Sequence, residues 1–220
     1  MYIFLLRKVN KFLLFIILGG ALAATKTYFS HKENMEIKIT TGTASGCGDT
    51  VNFISNQLAE AYRLYGDFLE LEFVPWGRTR WTAEEGFVCQ FGAEDCWANR
   101  LHRCVLNMLD GRQEAQLHYM TCEFSSPFPS FRLGSYLCAQ AVGLSLADVD
   151  HCVANPGDDL DRAAQAASAV PMASINFVPY ILFNDIIDIN LHNQARTRLA
   201  SMICFALAED PSTGVTNCQI

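Results

Sequence analysis

Cys47 stands near the end of a glycine-rich stretch, residues 42–48, just before a run in which Val51, Ile54, Leu58, Ala61 and Tyr65 recur every three or four positions. That period describes one face of an amphipathic helix, so the thiol sits at a helix N-terminus. Position matters because the thiolate is the reacting form of cysteine, and the partial positive charge and free N–H groups of a helix start favour it. An ordinary thiol, with a pKa near ~8.5, is ionised in only about one molecule in a few thousand at pH ~5, so useful rates in an acidic compartment require that help. The Thr50 hydroxyl, one turn on, is a candidate donor to the sulfur. The Asp49 carboxylate works against it, since a neighbouring negative charge disfavours a second. On spacing alone, a nucleophile and one half of a structural disulfide are both open readings of Cys47.

Eight further cysteines, Cys89, Cys96, Cys104, Cys122, Cys138, Cys152, Cys204 and Cys218, bring the total to nine. All follow an N-terminal segment with the marks of a secretory signal: Arg7, Lys8 and Lys11, then an apolar run over residues 12–23 ending in Ala21-Leu22-Ala23. Roughly a dozen apolar residues fall short of the ~20 that span a bilayer, so residues 1–23 are expected to be cleaved and no stable membrane span is expected. Secretion places the thiols where disulfides persist, and the eight cysteines other than Cys47 are the structural disulfide candidates. An odd count leaves at least one thiol over, and spacing does not choose among the possible pairings. Loss of the three basic residues takes the net charge from −7 to about −10, which argues against nucleic acid as a partner. No Asn is followed by x-Ser/Thr, so no N-glycan is expected, which tilts the destination toward plain secretion rather than the lysosome.

Competing chemistries are poorly served. No pair of C-x-x-C half-sites exists, and Cys96, His102 and Cys104 lack structural-zinc spacing, so no metal is expected. A Cys-His hydrolase would need His102, His118, His151 or His192 beside Cys47, and nothing marks any of them. Of Trp76, Trp81 and Trp97, at least two are expected in the core.

The elements that must position Cys47 follow from periodicity. Met35, Ile37 and Ile39 alternate with polar residues, predicting a half-buried strand near 35–41. Leu69, Leu71 and Phe73 predict a second strand ending at Pro75, and strand–helix–strand order implies a right-handed parallel crossover. Residues 82–169 read as a cysteine-rich insertion with a helix near 98–109 and a proline-punctuated loop at 125–131. A strand-like run at 175–184, a short pairing strand at 185–189 and a helix over 196–207 complete the chain.

The segment Cys89-Gln90-Phe91-Gly92-Ala93-Glu94-Asp95-Cys96-Trp97-Ala98-Asn99-Arg100-Leu101-His102-Arg103-Cys104 resembles the signature C-Q-H-G-x-x-E-C-x-x-N-x-x-x-x-C of the gamma-interferon-inducible lysosomal thiol reductases. All three cysteines, Gln90, Gly92 and Asn99 match, while Phe91 replaces the signature His and Asp95 its Glu. Phe73-Val74-Pro75 and Phe177-Val178-Pro179 also fall where the family has them. The resemblance implies an α/β, thioredoxin-like fold over residues 24–220 with a disulfide-bonded helical insertion at about 82–169. It further implies a cis Val178–Pro179 bond facing Cys47, with both residues in a substrate-binding groove. The family's C-x-x-C pair is Cys47-Gly48-Asp49-Thr50 here, so no resolving thiol adjoins Cys47. The implied activity is thiol–disulfide exchange on disulfide-bonded proteins or peptides through one nucleophilic cysteine tuned by Thr50. It needs no cofactor, and its turnover falls or depends on an external thiol such as glutathione or cysteine. The alternative is a catalytically silent secreted module that binds polypeptide partners on the same groove; the implied location is extracellular or lysosomal.

Overall fold

Ile37–Thr43 forms the central strand β1, and both its faces are covered. The computed structural model describes residues 36–155 and 159–218; the expected signal segment and Met35 lie outside them. Ile37 and Ile39 point into the main core, and beyond the next strands a helix packs over the opposite face, which is why β1 is more buried than its alternation predicts. After the loop bearing Cys47, α1 (Gly48–Asn52), a π-helical turn (Phe53–Leu58) and α2 (Ala59–Tyr65) run on as one continuous helix. Ile54, Leu58 and Ala61 are fully buried on the expected face, and the π turn adds Phe53. A 3-10 turn leads into β2 (Leu69–Pro75), which pairs parallel to β1 from Ile37↔Leu69 to Thr43↔Pro75.

A small hairpin, β3 (Arg80–Thr82) and β4 (Gly86–Val88), follows. Then come α3 (Ala93–Met108), α4 (Gln113–Glu123), α5 (Pro129–Leu133), α6 (Leu137–Ala141), α7 (Leu146–Ala154) and α8 (Asp159–Ile175). The proline-rich loop is therefore shorter than expected: its Ser126–Pro127 bond is cis and Pro129 opens α5, at the first helical turn where proline loses nothing. The strand-like run at 175–184 reduces to β5 (Tyr180–Phe183), because α8 continues to Ile175 and Asn176, at φ 52°, turns the chain out of it. β5 pairs antiparallel to β1, giving the order β2-β1-β5. Gly42 lies opposite Tyr180, and a Cβ there would come within 1.9 Å of the tyrosine ring, so glycine is required.

The expected strand at 185–189 does not form. Asn184 and Asp185 take left-handed φ values of 51° and 61°, leaving a single bridge, Phe183↔Ile186. Asp188 then caps α9 (Ile189–Ala208), its Oδ1 accepting from the N–H groups of Asn190 and Leu191 at 2.8 and 3.0 Å, so the last helix starts seven residues before the predicted 196. α9 kinks at Arg198, and the N–H of Leu199 donates to the Gln57 side chain in the π turn of the facing helix. Two irregular helices are thus matched at one contact.

Four disulfides are present: Cys89–Cys96, Cys104–Cys152, Cys122–Cys138 and Cys204–Cys218. They tie the start of α3 to the strand before it, α3 to α7, α4 to α6, and α9 to the C-terminal tail. The fold is mixed helix and sheet, and no helix among the described residues is long and apolar enough to cross a membrane.

Candidate functional site

Cys47 is the free cysteine. Its extended backbone (φ −88°, ψ 117°) makes it the residue before α1: its N–H donates to the Ala44 carbonyl and its own carbonyl accepts from Val51, each at 3.1 Å. The backbone thus closes the turn, and the side chain is left to contacts of its own. There Sγ donates to the Val178 carbonyl at 3.3 Å. The Val178–Pro179 peptide bond is cis. Cys47, Val178 and Pro179 are therefore brought together, although 131 residues separate the sulfur from its acceptor. Ala44, Cys47 and Val178 form a small apolar cluster flanked by Phe91 and Met172, and Cys47 retains 6% exposure.

Thr50 is not placed as expected. It is wholly buried on the inner face of the helix, and among the described residues its Oγ1 has no hydrogen-bond partner. The third residue of this helix is turned into the core, so its hydroxyl does not reach Sγ.

The loop carrying Cys47 is held by a carboxylate that periodicity did not single out. Asp95 is 1% exposed, and its Oδ1 accepts from Ser45 Oγ at 2.6 Å, the Gly46 N–H at 3.1 Å and Asn99 Nδ2 at 3.0 Å. Its Oδ2 accepts from the Phe91 N–H at 3.3 Å, and the Ser45 N–H donates to Asn99 Oδ1 at 2.9 Å. A buried carboxylate is tolerated only with such partners, and here two of them, the Ser45 hydroxyl and the Gly46 N–H, belong to the Cys47 loop. Packing completes the restraint: a Cβ on Gly46 would lie 2.5 Å from Phe91 Cβ and 2.9 Å from Phe131 Cζ. Gly92, at φ 91°, supplies the backbone that starts α3 one turn before Asp95 and Cys96. The signal for these roles was present in the segment 89–104, where Asp95 and Asn99 lie four apart on one helix face.

A second unanticipated residue is Arg196. Its guanidinium lies 3.8 Å from the centroid of the Phe177 ring, and Nη2 is 3.8 Å from Asp49 Oδ1. The carboxylate expected to oppose the thiolate thus has a counter-charge, screened by solvent because Asp49 is exposed. His192, one turn earlier on α9, accepts the Ile181 N–H on Nδ1 at 3.3 Å and is pushed down to about 4 by burial and by Arg196. Among the described residues no histidine hydrogen-bonds Cys47: His102 meets Ser130 Oγ at 3.0 Å, and His151 meets Asn155. No group of three metal-ligating side chains occurs among them either. Trp76 is buried and Trp97 half-buried against Tyr136, while Trp81 is 60% exposed.

Residues 38–141 match the family described as Gamma interferon inducible lysosomal thiol reductase (GILT), a span that holds Cys47 and the whole segment 89–104. GILT-like protein 1 of Drosophila melanogaster is 25% identical over 174 residues, covering 72% of this chain and 70% of that protein. The gamma-interferon-inducible lysosomal thiol reductase-like protein of Anopheles gambiae is 23% identical over 184 residues, 75% and 74% of the two chains. GILT-like protein 2 of Drosophila melanogaster is 23% identical over 210 residues, 93% of this chain and 96% of that protein.

Proposed function

Because the chain belongs to the gamma interferon inducible lysosomal thiol reductase family, we propose that it is a thiol–disulfide oxidoreductase acting on protein or peptide disulfides through Cys47 alone, on a thioredoxin-like fold. The observation that carries this reading is the free Cys47 at the head of its helix with Sγ against the Val178 carbonyl. In that place the sulfur stands at a helix start, and the backbone beside Pro179 offers an edge for an extended substrate. The Cys47 thiolate attacks one sulfur of a substrate disulfide; that S–S bond breaks, the other sulfur leaves as a thiolate, and a mixed disulfide remains. Thr50 supplies no second thiol, so an external thiol such as glutathione or cysteine attacks the mixed disulfide and releases the substrate. A second external thiol then regenerates Cys47, the two ending as their own disulfide. The expected setting is extracellular or lysosomal.

Wild-type protein should therefore accumulate mixed disulfides with substrate and release them in proportion to added thiol. Thr50→Cys should lower the trapped fraction and raise turnover, since an intramolecular thiol resolves at high effective concentration. Failure of Cys47 to form any adduct in folded protein, read by mass mapping after alkylation, would sink the proposal.

The second reading is a binding module without turnover. It is favoured by the 6% exposure of Cys47 and by Phe91, packed on the cluster where the family signature has histidine. Such a module would hold its partner equally well after Cys47→Ala.

A further inference from the structure

A groove of about 580 Å³ opens beside Cys47, between the turn and strand after β2 and the last turns of α8. One wall carries Arg78, Arg80 and Trp81, and the other carries Met172, Ala173 and Asn176. Two contacts make the groove continuous with the nucleophile. Met172 lines it and also packs on the Cys47–Val178 cluster. Gly77, in its floor, is so close to the Cys47 loop that a Cβ there would lie 2.7 Å from Ala44 Cβ.

Its charge is opposite to that of the chain. Two arginines and no carboxylate line it, whereas the chain as a whole carries −7. Arg78 is held in place by the side-chain and main-chain oxygens of Asn176, the latter at 2.6 Å. Those acceptors are neutral, so they orient the guanidinium without cancelling it. Glu84 and Glu85 occupy the turn at the far end of the β3–β4 hairpin, away from Arg80. Trp81, 60% exposed, presents a large ring at the rim, and the hairpin that carries it is anchored by Phe87 edge-on to buried Trp76, centroids 5.5 Å apart. Arg78, held by Asn176, with Arg80 on the same wall beside an exposed indole and a floor of small side chains, fits a polypeptide with an acidic residue next to an apolar one.

We infer that this groove binds the substrate polypeptide on one side of the attacked cystine, with an acidic side chain on Arg78 and Arg80 and an apolar one on Trp81. The inference rests on the reading of Cys47 as a nucleophile toward polypeptide disulfides and names the substrate class it prefers.

Three probes separate the two ideas: a peptide disulfide with Asp-Phe beside its cysteine, the Lys-Phe counterpart, and hydroxyethyl disulfide, which has no side chains to place. The readout is the rate of Cys47 mixed-disulfide formation by mass spectrometry. The Asp peptide should react about tenfold faster than the Lys peptide at low salt, with the ratio shrinking as salt is raised. Arg80→Gln should lower that ratio several-fold, and Trp81→Ala should slow both peptides several-fold relative to hydroxyethyl disulfide, which has no side chain to lose. Neither ratio depends on the folded fraction of a variant. An Asp-to-Lys ratio near one in the wild type, or one that Arg80→Gln does not move, or peptide rates relative to hydroxyethyl disulfide that Trp81→Ala leaves unchanged, overturns the groove. Inertness of Cys47 toward hydroxyethyl disulfide would sink the oxidoreductase reading instead. The groove would then be read by anisotropy of fluorescent Cys→Ser peptides on the Cys47→Ala protein, where equal binding of the Asp and Lys forms overturns it.

Discussion

The sheet and the helical segment between β2 and β5 are held together in opposite ways. Around β1 the restraints are register and burial: Ile39, Ile54, Leu58 and Ile181 are at most 1% exposed, and no disulfide joins the three strands. From residue 89 to 154 two of the helices, α5 and α6, have only five residues each, and three disulfides cross between the helices of this segment or bracket their ends. Helices of that length cannot persist on their own hydrogen bonds. The free thiol belongs to the half whose strands no disulfide joins, yet the carboxylate that positions its loop, Asp95, belongs to the stapled segment. Covalent bonds are thus placed where they fix a support, and are absent where a sulfur must stay available.

The sharpest way to break this division is Cys47→Ala, which should abolish every covalent adduct with substrate while costing about 1 kcal/mol or less, read by mass spectrometry and thermal melting. Removing a staple should do the reverse. For Cys104→Ala with Cys152→Ala, the 48-residue separation predicts a loss of about 4 kcal/mol by denaturant titration, against about 3 kcal/mol for Cys122 with Cys138. Asp95→Ala tests the link between the halves: it strands the donors of Ser45, Gly46 and Asn99, and should cost about 2–3 kcal/mol. The rate of Cys47 with a small disulfide should fall with it, and an unchanged rate in the folded variant would show that the loop holds itself.

The last effect concerns pH and α9. The pKa of His192 is lowered to about 4 in the folded chain, so between the ordinary value of 6.5 and about 4 the unfolded chain binds a proton that the folded one does not. Stability should therefore fall as pH drops through that window and level off below it. His192→Gln should flatten the slope in denaturant titrations at pH 7, 5.5 and 4. A slope that survives the substitution would assign it to other groups.

What was legible in the sequence was what repeats locally. The helix after Cys47 and the strand at 69–75 follow from spacing, and Cys47 as the odd thiol is consistent with four pairs among the other eight. What was hidden depends on residues far apart in the chain. The Asp95 carboxylate meets Gly46 from 49 positions away, and although its four-residue spacing to Asn99 was visible, nothing local names the loop it holds. Thr50 illustrates the converse: one turn of helix suggested contact with the sulfur, whereas burial turned the hydroxyl inward. At 185–189 the pattern of Ile186, Ile187 and Ile189 suggested a strand, but left-handed Asn184 and Asp185 followed by the Asp188 cap decided for turn and helix. Arg196 was legible only as the start of a helix, and its place over Phe177 requires the chain to fold back on itself.

The connectivity of the disulfides also bears on how the protein is made. No bond crosses another: Cys89 closes on Cys96, Cys122 on Cys138 inside the interval Cys104–Cys152, and Cys204 on Cys218. A chain synthesised from its N-terminus therefore exposes each local pair within a few seconds, and three of the four bonds can close as their segments appear. Cys47 must be passed over by every later cysteine. Cys104 alone has to wait, reduced, while Cys122 and Cys138 go by, and so the oxidant that meets the nascent chain has to act no faster there than the helices between them form.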